Sequence, residues 1–282
     1  MAADADGPVV VKIGGARAVD PEGALADIAA VRDDGTDVVV VHGGSTAVDD
    51  ALERMGVEPE YVETPAGVVG RFTDAETMDV FKMAMAGLVN TDLVEGLRAA
   101  GVDAVGLSGV DGGLFTGPRK SAVRVLEDGK RKIRRGDHSG RIESVNGELL
   151  EGLLADGYTP VASPPMLAED SVAVNTDADR AAAAVAGELG GTLVSLTDVG
   201  GVYRDPDDPE TVIDRVARPA EYEELKSVAK GFMSRKVMAA TEALEAGAEA
   251  VVVADANAES PVRSALDGGG THVLPGALGG EE

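Results

Sequence analysis

The chain has no cysteine, and its three histidines, His42, His138 and His272, lie scattered along 282 residues. Disulfide staples, thiolate metal sites and cysteine nucleophiles are thereby excluded, and no zinc-ligand spacing is present. Aromatic residues amount to 3%. No apolar run approaches the roughly 18 residues that span a membrane. The pattern GxxxxGK[ST] does not occur and no GxGxxG follows the first apolar run, so neither a P-loop nor a dinucleotide site is indicated. The acidic opening MAADADGP does not read as a secretory signal, so the expected location is the cytoplasm. What is present suffices for a core: hydrophobic residues make up 44%, and a chain of this length buries roughly 75% of its unfolded surface.

Basic residues are also scarce, 25 against 50 acidic ones, and eight of the 25 are lysine. The resulting charge of −25 disfavours nucleic acid and anionic membranes as partners. The balance resembles that of proteins from salt-accumulating archaea, with an ordinary acidic enzyme as the alternative. One segment reverses it. From Arg119 to Arg141 nine bases face three acids, whereas the rest of the chain carries 16 bases and 47 acids. A solvated basic loop is the plain explanation; a docking site for an acidic partner is the functional one.

Apolar runs alternate with amphipathic stretches. Strands are expected at Val9–Ile13, Val38–His42, Ala104–Ser108, Thr159–Ala162, Thr192–Thr197, Ala250–Ala254 and Thr271–Leu274. Helices are expected at Pro21–Arg32, Thr46–Met55, Ala75–Ala99, Gly147–Ala155, Asp177–Leu189, Ser234–Ala246 and Ser260–Leu266. Such alternation predicts an α/β fold, a three-layer α/β/α sandwich around a mainly parallel open sheet. The basic segment predicts a protruding β-hairpin turning at Glu127-Asp128-Gly129-Lys130. The stretch after Pro275 is expected to be loose.

The chemistry-bearing signals sit at strand ends. Lys12 stands inside an apolar strand just before Gly14-Gly15, where an unpaired ammonium is costly to bury. Beside glycines that let backbone N–H groups approach an anion, it can reach a phosphate. His42-Gly43-Gly44-Ser45 repeats the device and opens a helix, a favourable place for an anion. Each glycine pair alone is an ordinary tight turn; two pairs beside a strand lysine point to a phosphate or carboxylate site at the sheet's carboxyl edge. His42 itself reads as structural rather than as a base. Arg71 precedes a helix capped by Thr73 or Asp74 and suits a carboxylate. Thr176 and Asp179 fit a helix cap, and the same turn can present Asn175 and Asp179 to a ligand. Lys236 lies early in a helix, where the dipole disfavours a cation unless an anion is near.

The segments VKIGG, VHGG, RFTDAETMDVFKMAMAGLVN, NTDAD, LTDVGGVY and GFMSRKV follow one another from Val11 to Val237. In this order they resemble the amino acid kinase superfamily. The resemblance is to acetylglutamate kinases, and in particular to relatives that phosphorylate glutamate or α-aminoadipate carried on the acidic protein LysW. Ser45 after the glycine pair, the stretches Gly136–Gly140 and Ile142–Asn146, and the basic hairpin favour the carrier-linked branch.

The resemblance implies a single domain, with an acyl-substrate lobe at 8–175 and an ATP lobe at 176–275. Lys12 and Lys236 would be the transition-state cations, with Asp179 orienting them. Gly43, Gly44, Arg71 and Asn175 would bind the acyl substrate. Gly15 and Gly44 would offer N–H groups to the transferring phosphoryl. Asp198, Gly201, Tyr203, Gly231 and Met233 would line the nucleotide pocket. Mg²⁺ would be held mainly through ATP, with no protein metal ligand, and a homodimer would form. A LysW-like carrier would dock at Arg119–Arg141, in arginine or lysine biosynthesis. Free N-acetyl-L-glutamate as substrate, a silent amino-acid sensor and a carrier-binding module remain open. The acceptor carboxylate is already ionised at neutral pH, so the chemistry requires no general base.

Overall fold

A computed structural model describes residues 7–14, 21–65, 67, 69–127 and 129–279. Eleven strands form one sheet in the order Arg215–Val216, Thr271–Val273, Ala250–Asp255, Thr192–Thr197, Val9–Ile13, Val38–His42, Thr159–Ala168, Phe115–Gly117 and Ser144–Val145, with Ala104–Gly109 and Ala173–Val174 also paired to Thr159–Ala168. The central ladders are parallel, and antiparallel pairing is confined to the margins.

Each strand candidate became a strand. The one at Thr159 runs on to Ala168, past Pro164-Pro165, because it leaves Val38–His42 after Ala162 and pairs with Phe115–Gly117 through Leu167. Alternation along the Val9–Ile13 strand divides the core. Val9, Val11 and Ile13 join Ile28, Val38 and Leu97 on one face; Val10 joins Val39, Val41, Ala182 and Ala243 on the other. Helices thus cover both faces, as the near-continuous apolar strands require. A third cluster, built on Val48, Leu52, Phe81 and Met85, joins helix Ser45–Arg54 to the 75–99 run.

Three expectations need correction. The 75–99 run is one continuous helical stretch, but Met83–Val89 within it is π-helical. Of the stretch expected to be loose, Pro275–Leu278 forms a 3₁₀ turn that buries Ala277, and residues 280–282 lie outside the described residues. The cap at Thr176 is supplied instead by Asp177, which accepts from the N–H groups of Asp179 and Arg180. Helix Pro219–Val228 was not anticipated.

The basic hairpin pairs Arg119–Glu127 with Lys130–Gly140, with Gly129 at φ 71° in the turn. Only one of its faces is free. Val125 is buried, and Arg134 pairs with Glu60 and lies 4.4 Å from the Phe72 ring centroid.

Candidate active site

Lys12 belongs to the face of its strand that carries Val10, so its side chain points toward helix Ala178–Glu188. Asp177 caps that helix, which frees the Asp179 carboxylate from capping. Asp179 Oδ1 then lies 2.7 Å from Lys12 Nζ and 3.7 Å from Lys236 Nζ. Lys236 arrives from helix Phe232–Glu245, which begins after Gly231 at φ 58°. The two ammonium nitrogens cannot be farther apart than those two distances laid end to end.

All three groups are largely sheltered, with side-chain exposures of 8%, 20% and 14% for Lys12, Asp179 and Lys236. Burial alone would raise the Asp179 pKa, but the charges of Lys12 and Lys236 outweigh it and hold the carboxyl below its usual range. Burial, and then the Lys12 charge, push the Lys236 ammonium below the ordinary lysine value, against support from Asp179, Asp177 and Asp198. The two sheltered cations share one ion-paired carboxylate, so the three groups together carry one net positive charge. Such a site fits an incoming phosphoryl anion.

The second glycine turn lies alongside. Gly43 N–H extends the ladder by donating to Ile13 C=O at 3.0 Å, and helix Ser45–Arg54 starts after Gly44. His42 is 1% exposed and its pKa is lowered to about 4 by burial. So placed, the ring is neutral near pH 7 and faces the protein interior.

Arg71 is less free than expected. Its Nη2 donates to Asp49 Oδ1 at 2.7 Å and to Ser45 C=O at 2.8 Å, and its Nε reaches Asp49 at 3.2 Å. The guanidinium therefore stands at the start of the Gly44 helix, partly neutralised by Asp49. Asn175 donates to Thr73 Oγ1 at 3.0 Å, and its backbone pairs with His138 and Gly140 at the hairpin base. Arg71 is thus tied to the Gly43-Gly44 turn through Ser45, and Asn175 to Thr73, two residues after Arg71. Gly15 lies outside the described residues.

Around Lys236, Asp198 follows strand Thr192–Thr197 and is exposed. Gly201, at φ 151°, approaches Thr271 so closely that a Cβ would lie 2.7 Å from its Oγ1. The Tyr203 hydroxyl accepts from Gly200 N–H and ties that loop. Gly231 starts the Lys236 helix, and Met233 packs against the core. Asp49, Asn90, Asp177 and Arg235 went unassigned in the sequence, although Arg235 donates to the Val69 carbonyl and joins the Lys236 helix to strand Val69–Arg71. Nothing in their spacing marked them. Among the described residues, no group of three or more His, Asp or Glu could hold a metal ion, and no helix is long and apolar enough to cross a membrane.

Lysines from two separate elements meet over one carboxylate, beside the Gly43-Gly44 turn at the carboxyl edge of a mainly parallel sheet, an arrangement suited to an anionic group such as a phosphoryl. The amino acid kinase family model matches residues 7–255, and the chain belongs to that family. It is 44% identical to the "[LysW]-aminoadipate kinase" of Thermus thermophilus, over 94% of this chain and 99% of that one. It is also 44% identical to the acetylglutamate kinase of Methanopyrus kandleri, with the same coverage. Its fold is similar to the N-acetylglutamate synthase of Neisseria gonorrhoeae, with TM-score 0.74 and 24% identity over 95% of this chain; it spans 59% of that longer protein.

Proposed function

We propose that this enzyme transfers the γ-phosphoryl group of ATP to the side-chain carboxylate of carrier-linked α-aminoadipate or glutamate, giving an acyl phosphate and ADP in lysine or arginine biosynthesis. The observation that carries the reading is the convergence of Lys12 and Lys236 on one Asp179 oxygen. A phosphoryl group in flight spreads charge over its equatorial oxygens, so fixed cations and N–H donors supply the catalysis. Lys12 and Lys236 take that role, Asp179 holds them together, and Gly15 and Gly44 offer backbone N–H groups. Residues 8–175 hold the acyl substrate, with Arg71 and Asn175 beside the reacting carboxylate. Residues 176–275 hold the nucleotide, through Asp198, Gly201, Tyr203, Gly231 and Met233. Mg²⁺, held mainly through the nucleotide with no protein ligand, would offset the charge of the phosphates. The assembly is a homodimer working in the cytoplasm, and the acidic composition suits a salt-rich one.

Carrier docking at Arg119–Arg141 is supported by charge left unpaired on one hairpin face. Arg119, Lys132, Arg134 and Arg141 are engaged with Asp170, Glu127, Glu60 and Glu143. Arg124, Arg131 and Arg135 have no ion pair among the described residues. Cross-strand register sets them on the face opposite Val125, around Ile133, which is 68% exposed. A groove of about 650 Å³ runs along this region, lined by Lys120, Arg124, Arg131, Lys132 and Ile133. The test is acyl-phosphate trapping with hydroxylamine on carrier-linked α-aminoadipate, carrier-linked glutamate and free N-acetyl-L-glutamate. Reversing Arg124, Arg131 and Arg135 to Glu raises KM for the carrier-linked substrates and spares the free one; equal effects on both count against docking. The resemblance to the Methanopyrus kandleri acetylglutamate kinase favours the free substrate as the second reading. Preference for it in the trapping assay would establish that reading.

A further inference from the structure

We propose that His42 and Asn90 are positioning residues, which hold the Gly43–Gly44 peptide in its working orientation, and that the π-helical turn Met83–Val89 exists to deliver Asn90 to that task. The inference rests on the proposed phosphoryl transfer, in which Gly44 N–H faces the phosphoryl group.

Hydrogen-bond chemistry fixes the relay. Asn90 is 5% exposed, and its Nδ2 lies 2.8 Å from Val161 C=O and 3.0 Å from His42 Nε2. A carbonyl only accepts, so the atom facing it is the donating amide nitrogen. That nitrogen carries two hydrogens and no acceptor site, so His42 Nε2 accepts the second bond. The imidazole proton therefore sits on Nδ1, which lies 3.0 Å from Gly43 C=O and donates to it. Because the peptide is planar and trans, tethering the Gly43 oxygen also sets the direction of Gly44 N–H. Gly43 N–H is bonded to Ile13, and Gly44 C=O takes Val48 N–H. Gly44 N–H has no partner among the described residues.

The π-turn supplies both supports of this glycine pair. Asn90 is the first residue after it, and Met85 lies within it. A Cβ on Gly44 would come within 2.6 Å of Met85 Sδ, so the thioether backs the turn directly. A π-turn inserts one extra residue, which rotates the downstream residues by about 100° relative to an unbroken α-helix. Without it, Asn90 would face away from His42. Room for its side chain comes from Gly106, where a Cβ would lie 2.0 Å from Asn90 Oδ1.

Isosteres separate the two imidazole nitrogens. The amide nitrogen of His42→Asn falls where Nδ1 was and still donates to Gly43 C=O; that of His42→Gln falls where Nε2 was and does not. His42→Asn is expected to keep kcat within about threefold of wild type, whereas His42→Gln lowers kcat on the order of 10²-fold with KM for ATP nearly unchanged. Nitrogen-15 NMR of His42 in the wild-type protein is expected to show the Nδ1–H tautomer. Equal kcat for the two variants, or an Nε2–H tautomer, overturns the relay. Because His42→Gln could fail to fold, the tautomer measurement decides the matter without any variant. Lys12→Ala runs alongside: its inactivity together with a fully active His42→Gln removes the relay and leaves the kinase reading standing. A wild-type protein inactive on every carboxylate offered overturns both.

Discussion

Replacing Asp179 with Asn tests the centre of the site with almost no change of shape. At an effective dielectric near 20, one carboxylate charge attracts an ammonium at 2.7 Å by about 6 kcal/mol and one at 3.7 Å by about 4 kcal/mol. Relaxation and water return part of this, and removing one member of a buried pair typically costs about 3–5 kcal/mol. Two sheltered ammoniums then face each other with only Asp177 and Asp198 left to offset the Lys236 charge. Lys236, already lowered by burial and by Lys12, loses a carboxylate that supports its charge, so its pKa falls further. A lysine with a lowered pKa sheds its proton at lower pH. The alkaline limb of the kcat profile should therefore move toward neutrality, with kcat at its optimum down on the order of 10²-fold. Hydroxylamine trapping across pH, at saturating ATP and acceptor, reads both effects. Thermal melts should show a destabilised apoprotein that MgATP partly restores, because the phosphates bring back negative charge. A variant with kcat within about threefold of wild type and an unmoved alkaline limb would refute the reasoning.

Lys12→Ala and Lys236→Ala should each lower kcat on the order of 10³-fold, about 4 kcal/mol, in the same assay; losses below about tenfold for both would remove them from the phosphoryl group's surroundings. His42 gives a stability prediction. Its folded pKa of about 4 lies below the unfolded value near 6.5, so the unfolded chain binds the proton first. Stability is full above pH 6.5 and falls by about 3 kcal/mol as pH drops to 4, a loss that denaturant titrations should find missing in His42→Asn. The charge of −25 predicts a melting temperature that rises with KCl as the Debye length shrinks from about 10 Å at 0.1 M to about 3 Å at 1 M; a flat response would contradict a salt-adapted surface.

The fold class was legible in the chain itself, and so were several residues of the candidate site, because both are written in local pattern. Short β-branched runs separated by amphipathic stretches define buried parallel strands whatever surrounds them. A lysine inside such a run, with glycines after it, is anomalous enough to mark a site. Burial periodicity also located the 75–99 run, but could not reveal its π-turn, since one inserted residue barely disturbs an apolar stripe. The basic excess marked a hairpin, yet not which arginines are engaged. Lys132 and Arg134 carry the same charge as Arg131 and Arg135; only the partners Glu127 and Glu60 distinguish them.

Long-range geometry belonged to the tertiary structure alone. Lys12, Asp179 and Lys236 are spread over more than 200 residues, and only parallel strand order brings them to one edge. Asp49 beside Arg71, and Asn90 beside His42, are ordinary helix residues until packing sets them against a partner. Sequence pattern fixes which side of an element is buried, since that depends on neighbours along the chain. Which polar groups then meet is decided by the packing of elements distant in sequence, and there the chemistry of this protein resides.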